Sequence, residues 1–361
     1  MNRFYSLNHS SIDFVFKQSP RDFVVDEIPL YEFSGEGEHL VLHVRKKNLT
    51  TWEMVDIFCV FLGIKAKEIG YAGLKDKFAM TKQYISVNKK YEKQLETFSH
   101  PDIKILSTTY HNNKIKTGHL KGNRFFIRLK KVNPTNATKI DLALKQIQQH
   151  GMPNFFGYQR FGKNGDNYIQ GEQIAFGLKK ERNVKMKKLL INSYQSHLFN
   201  LWLSRRLEIS KLIENFTPSE LVETLNLSLY TIKQMKQQKH PFKLISGDVL
   251  KHYPHGCLFD FNGDTEDIDR FYIHDIAPTG LLCGKKAWLG KDEAGVIEKD
   301  FNQTIQANGT RRYAWIFPQD VEGEYKENDA WYELHFTLPK GSYATVLLEE
   351  IAKRKLGEKY E

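Results

Sequence analysis

The chain has 361 residues, 40% of them hydrophobic and 13% aromatic, which is enough apolar material for a sizeable core and excludes global disorder. Lysine and arginine outnumber aspartate and glutamate by ten, 53 against 43, an excess that favours a polyanionic partner, nucleic acid before a membrane surface. Three scattered cysteines (Cys59, Cys257 and Cys283) without a C-x-x-C pair imply neither a disulfide framework nor a zinc cluster, and the longest apolar stretch, Val55 to Ile64, contains Asp56 and is too short to span a bilayer.

In chain order, Ser19-Pro20-Arg21-Asp22-Phe23-Val24-Val25-Asp26-Glu27 reads as a turn running into a short strand. After Gly35-Glu36-Gly37, Leu40, Leu42 and Val44 alternate with Val41, His43 and Arg45, which is strand periodicity. Thr50 and Glu53 form a capping-box pattern that opens a helix with Trp52, Val55, Phe58, Cys59 and Leu62 on one face, ending at Gly63. Next comes Gly70-Tyr71-Ala72-Gly73-Leu74-Lys75-Asp76-Lys77, a Gly-x-x-Gly turn followed by one carboxylate between two lysines. The glycines permit positive φ and close approach, and the flanking cations favour an ionised carboxylate. By pattern alone Asp76 is a solvated turn residue; its chemical alternative is covalent or electrostatic catalysis at a carbon centre.

A strand from Gln83 to Val87 is expected next. From His111 to Lys131 the chain is densely basic, and Phe125, Ile127 and Leu129 alternate with Arg124, Phe126, Arg128 and Lys130, giving a strand with one apolar and one largely basic face. A helix is expected from about Thr138 to His150, stopped by Gly151 and Pro153, and this is the best domain boundary. Longer helical patterns follow at 187–207 and 218–238. The basic run from Lys179 to Lys188 is either a solvated helix face or a segment that faces a polyanion. Asp264, Glu266, Asp267 and Asp269 read as an acidic surface loop, not as a nuclease metal site. Near the end Tyr332, Leu334, Phe336 and Leu338 alternate, and Pro339-Lys340-Gly341-Ser342 turns into a helix through Ile351. Strands, then helices, then a strand–helix close predict an α+β fold with an insertion. The opening residues lack a secretory signal's apolar region, so a reduced, cytoplasmic protein is expected.

Six ordered blocks together resemble the TruD-type tRNA pseudouridine synthases. They are Ser19-Pro20-x-Asp22-Phe23-Val24-Val25-x-Glu27, Gly35-Glu36-Gly37-Glu38-His39, Ala72-Gly73-Leu74-Lys75-Asp76-Lys77, Leu120-Lys121-Gly122-Asn123-Arg124-Phe125, Pro153-Asn154-Phe155-Phe156-Gly157-x-Gln159-Arg160-Phe161-Gly162, and Leu338-Pro339-x-Gly341-Ser342-Tyr343-Ala344-Thr345. The resemblance implies a pseudouridine-synthase fold, a central mixed, largely antiparallel sheet flanked by helices, formed by residues 1–150 and 316–361. It also implies an inserted α/β TRUD domain at 151–315, expected to move relative to the catalytic part in the absence of a large apolar interface.

What the resemblance implies for chemistry is isomerisation of a tRNA uridine, at position 13 in that family, to pseudouridine. The C1′–N1 bond breaks, the base turns, and C5 joins the sugar, so no cofactor and no metal are expected. Asp76 falls on the family's catalytic aspartate and Lys17 on its basic active-site residue. Phe23, Asn123, Phe125 and Tyr343 fall on positions that hold the extruded base between apolar faces and bond its edge; Tyr343 departs from a common phenylalanine. By pattern alone Phe125 is a core residue. Arg160 is a phosphate contact or a structural pin, and Lys121, Arg124, Lys179 and Lys180 are candidate RNA contacts. The expected partner is tRNA, bound by a monomer with no membrane association. The alternative is a non-catalytic tRNA-binding or RNA-folding protein on the same scaffold, which the intact set Asp76, Asn123 and Phe125 argues against.

Overall fold

The computed structural model describes residues 3–16, 19–162 and 164–356. The first part contains β1 (Phe23–Pro29), β2 (His39–Lys46), α1 (Thr51–Leu62), β3 (Gly70–Tyr71), β4 (Met80–Asn88), α2 (Glu92–Leu95), β5 (Ile103–His111), β6 (Leu120–Lys130) and α3 (Pro134–His150). The middle contains β7 (Met152–Pro153), α4 (Asn167–Ala175), α5 (Val184–Asn215), α6 (Pro218–Leu225), α7 (Leu229–Gln237), β8 (Val249–His252), β9 (Leu258–Asp260), α8 (Thr265–Tyr272), β10 (Ile276–Leu282), α9 (Asp292–Lys299) and β11 (Thr310–Tyr313). The chain closes with β12 (Trp315–Ile316), β13 (Gln319–Lys326), β14 (Trp331–Pro339) and α10 (Ala344–Ala352).

The main sheet runs β13-β14-β6-β1-β4-β2-β5, with β3 on β4. Only β1 and β4 pair in parallel, so the sheet is mixed and largely antiparallel, as expected. Paired residues share a face, and one row crosses five strands: Lys46, Thr81, Val25, Phe125 and Phe336. Helix α1 covers one side of this face, packing Met54, Val55 and Phe58 with Leu40, Leu42, Val44 and Ile85. Helices α3 and α10 cover the other side, with Ile140, Leu144, Ile147 and Leu347 among Ile127, Leu129, Leu334 and Phe336. Between these clusters lie buried polar groups, Glu27, Lys46, Thr81 and Gln83.

The middle part builds a second sheet, β11-β10-β8-β9, against the long helix α5. Its entry and exit strands, β7 and β12, pair with each other. The apolar cluster under the main sheet continues through Phe199, Trp202, Phe242, Phe271 and Trp315. That continuity replaces the mobile junction expected from sequence: a shared core resists hinge motion. The last carbonyls of α3, which lack helical partners, are also held from the middle part. Trp315 Nε1 (2.5 Å) and His240 Nε2 (2.9 Å) reach the carbonyl of His150. His240 is neutral, because burial pushes its pKa down to about 3; its Nδ1 accepts from Phe242 N.

Local signals located the elements better than their limits. Helix α3 starts four residues earlier than expected, with Asn133 as cap and Pro134 in its first turn. The expected helix 218–238 is two helices, because Asn226 turns left-handed (φ +53°) and Ser228 caps a new start. Trp52 is 53% exposed, so the buried face of α1 is Thr51, Met54, Val55, Phe58 and Leu62. The acidic stretch at 264–269 is a cap and the helix α8, not a loop. No helix among the described residues is long and apolar enough to cross a membrane.

Candidate active site

Asp76 lies on the connection between β3 and β4, with its side chain exposed. Three contacts pin this connection to the start of α1 and the end of β2. Lys75 N donates to Thr51 Oγ1 (2.9 Å), Lys77 Nζ to Glu53 Oε1 (2.8 Å), and Lys46 Nζ to the backbone carbonyl of Asp76 (3.0 Å). Thr51 opens α1, and Glu53 completes the capping box that starts the helix. The same local code that begins α1 therefore also positions the aspartate loop.

Sequence alone placed the charges of Lys75 and Lys77 on Asp76. The structure sends both ammoniums to other carboxylates. Lys75 Nζ lies 2.7 Å from Glu27 Oε2 and donates to Asn123 Oδ1 at 2.8 Å, while Lys77 pairs with Glu53. That pair and the capping bonds from Thr50 hold the Glu53 carboxyl down at about 2. The cation beneath Asp76 is Lys46, which is fully buried. Burial pulls its pKa down to about 8, opposed by the negative charge of Asp76. Lys46 continues the inward parity of Leu40, Leu42 and Val44, so a lysine at an apolar strand position was the signal for it. Of the two properties expected of the glycines, positive φ fails and close approach holds at Gly70. Neither Gly70 nor Gly73 is among the positive-φ residues; a β-carbon at Gly70 would lie 2.3 Å from the Ile115 carbonyl oxygen, so close approach is what requires glycine there.

The aromatic positions meet on the same sheet face. Phe125 is 6% exposed, stacks on Phe336 at 5.2 Å and meets the ring edge of Phe23 at 6.3 Å. Asn123 faces Glu27 across the β1–β6 ladder and is tied to the aspartate loop through Lys75. Asp76, Asn123, Phe125 and Phe23 thus belong to one structural unit. Lys17 falls outside the described residues.

The remaining candidates are distributed. Tyr343 occupies the cap position of α10, its ring 6.2 Å from that of Phe156. Arg160 is fixed by Ser196, Nε to Oγ at 3.0 Å. Lys121 lines a cavity of about 410 Å³ between the main sheet and the middle part, together with Lys251, Lys340 and Ser342. Arg124 pairs in register with Asp26 and Thr337, and strand alternation puts it on the face opposite Asn123 and Phe125. Lys179 and Lys180 are exposed between α4 and α5. His197 stacks on Tyr168 at 3.8 Å. Sequence reading missed Arg312, which covers the Phe156 ring at 3.9 Å. Among the described residues no group of three or more His, Cys, Asp or Glu side chains could hold a metal ion.

Comparison with known proteins follows the same lines. The sequence matches the family model described as tRNA pseudouridine synthase D (TruD) over residues 2–181 and 286–351. The tRNA pseudouridine synthase D of Sulfurimonas denitrificans is 65% identical over 356 residues, covering 99% of this chain and 100% of the relative. That of Nitratiruptor sp. is 59% identical with 99% of each chain covered, and that of Wolinella succinogenes is 52% identical, also with 99% of each covered. The crystal structure named for tRNA pseudouridine synthase D (TruD) from Methanosarcina mazei superposes with a TM-score of 0.65 over 98% of this chain and 96% of its own. At 22% identity that likeness is one of fold.

Proposed function

The chain belongs to the TruD family of tRNA pseudouridine synthases, isomerases that convert uridine to pseudouridine in tRNA, and we propose that it performs this conversion at position 13 with Asp76 as its catalytic carboxylate. One observation carries the assignment of Asp76. Its backbone is gripped by a buried ammonium, its carboxylate is exposed, and the adjacent Lys75 ties the same loop to Asn123 on the strand that carries Phe125. A carboxylate so held can attack the nucleoside or balance positive charge developing on the sugar, as carboxylates do in glycoside cleavage. The reaction is balanced within the substrate: C1′–N1 breaks, C1′–C5 forms, and the C5 proton is exchanged for one on nitrogen.

The supporting roles follow from position. Phe125, backed by Phe336 and Phe23, offers a flat apolar surface against which an extruded base can lie. Asn123 is oriented by Lys75, which is itself paired with Glu27, so its amide is fixed before substrate arrives. Lys17 is assigned as a basic partner of the site by its place in the sequence. The catalytic part comprises residues 1–150 and 316–361 and the insertion 151–315, limits supported by the pairing of β7 with β12. The protein works as a monomer in the cytoplasm, without metal.

The deciding experiment incubates unmodified tRNA with wild-type protein and with Asp76→Asn, in EDTA, followed by nucleoside mass spectrometry and site mapping. Pseudouridine at one site from wild type alone is the expected result. Tight tRNA binding without product from wild type would overturn the enzymatic assignment in favour of a binding protein. Full turnover by Asp76→Asn would overturn the role of Asp76.

A further inference from the structure

We propose that Arg312 and Arg160, with the Ser342 hydroxyl, form a phosphate subsite that holds the RNA backbone beside the target uridine, an inference that rests on the function proposed above. The two guanidiniums share one ring. Arg312 Cζ lies 3.9 Å and Arg160 Cζ 5.5 Å from the centre of Phe156. The backbone that carries this ring is held, because the Asn200 side chain accepts from Phe156 N (2.8 Å) and donates to Phe156 O (2.9 Å). Each arginine is positioned as well: Arg312 Nη2 donates to Asn154 Oδ1 at 2.8 Å, and Arg160 Nε to Ser196 Oγ at 3.0 Å.

Among the described residues neither arginine pairs with a carboxylate. The neighbouring Arg311 pairs with Glu298 at 2.6 Å, whereas among the described residues the only side-chain hydrogen-bond acceptors found for Arg312 and Arg160 are the neutral ones of Asn154 and Ser196. Burial and the nearby charge of Arg160 lower the Arg312 pKa to about 10, the cost of holding like charges in a desolvated place. Arg312 Nε and Nη2 also donate to the Asn154 carbonyl at 3.3 and 3.1 Å, and a bound phosphate would relieve that cost by accepting from the guanidinium N–H groups that Asn154 and Ser196 leave over.

The turn before α10 supplies a second, independent observation. At Gly341 (φ +83°) a β-carbon would lie 3.5 Å from Arg312 Nη1. The next residue, Ser342, has a buried hydroxyl that finds no hydrogen-bond partner among the described residues. Ser342 and Asn154 both line the 410 Å³ cavity between the two parts of the chain, and Tyr343, assigned to the base pocket, follows directly. The segment after α3, β11 and the turn before α10 therefore meet around Arg312, at the side of that cavity which Asn154 and Ser342 line. The RNA phosphodiester is the anion that the substrate brings to it.

The test measures binding of unmodified tRNA to Asp76→Asn protein, with and without second substitutions, from about 50 to about 200 mM KCl. Arg312→Gln and Arg160→Gln are each expected to weaken binding roughly tenfold and to lower the salt slope by about one phosphate contact. Arg312→Lys should keep the slope. Ser342→Ala, which leaves the aromatic shelf intact, should raise KM severalfold in the otherwise wild-type enzyme and keep its melting temperature. Unchanged slopes in both glutamine variants, or a lowered melting temperature with an unchanged slope, would make the arginines pins of Phe156 and overturn the subsite. If Arg312→Gln does not fold, Arg160→Gln and Ser342→Ala decide the matter alone. Wild-type protein that makes no pseudouridine would instead remove the functional premise, which this binding measurement keeps separate.

Discussion

The ammonium of Lys46 donates to the backbone carbonyl of Asp76 at 3.0 Å, from a position fully buried between the two apolar clusters of the main sheet. It also donates to the carbonyl of Leu49 at 2.5 Å, so one side chain ties the end of β2 to the candidate catalytic loop. The contact is to the main chain, which separates the fixing of the loop from the chemistry of the carboxylate.

That separation predicts a clean phenotype for Asp76→Asn. The substitution keeps the backbone carbonyl and alters only an exposed side chain, so the melting temperature should stay close to that of wild type. Turnover should fall by at least about 10³-fold, the usual scale for removal of a reacting group. Single-turnover assays with excess enzyme check this, and a loss of only a few fold would contradict the role.

Lys46 itself gives a pH-dependent prediction. Its folded pKa, about 8, lies below the ordinary value of 10.5, so the unfolded chain binds the proton more tightly than the folded one. The penalty is fully present below pH 8 and fades as pH rises to 10.5, worth on the order of 3 kcal/mol across the window. Urea unfolding at pH 7.5 and pH 10 should show wild type gaining stability relative to Lys46→Met. Parallel behaviour of the two proteins would mean that the amine is not desolvated. At pH 7.5 the variant should also turn over more slowly, because the loop loses its grip on β2.

Thr51→Val tests the anchor of the loop on α1. The hydroxyl accepts from Lys75 N and donates to Gln83 Oε1 at 3.2 Å, and valine leaves both groups without it. A stability loss of about 1–3 kcal/mol is expected. The fall in kcat should exceed any change in KM, since the affected contact orients Asp76 and touches no distant part of the RNA. Denaturation and steady-state kinetics on the same preparation provide the comparison.

Phe125 requires two substitutions to separate packing from chemistry. Phe125→Ala opens a cavity beneath Phe23 and Phe336 and should cost about 3–5 kcal/mol. Phe125→Leu refills most of the volume and should cost about 1.5 kcal/mol or less. If the ring lies against the target base, the leucine variant still loses roughly tenfold or more in turnover, the equivalent of a lost stacking contact. Near-wild-type turnover in the leucine variant would return Phe125 to the core alone.

Sequence by itself determined the features that depend on neighbours a few residues apart. Thr50 and Glu53 announced α1, Gly151 ended α3, and the alternation of Phe125, Ile127 and Leu129 announced the inward face of β6, because capping bonds and side-chain periodicity are local. The ordered blocks of residues placed Asp76, Asn123 and Phe125 in one family pattern. Tertiary structure decided which charges meet. Lys75 and Lys77 flank Asp76 in the chain, yet they pair with Glu27 and Glu53, and the buried cation at the loop is Lys46, thirty residues earlier. Likewise Arg124 lies next to Asn123 in sequence but on the other face of the sheet, and Arg160 meets Arg312 only across Phe156. A long charged side chain can reach several partners, and the choice among them is set by strand register and by what burial leaves uncompensated, neither of which is written in adjacent residues.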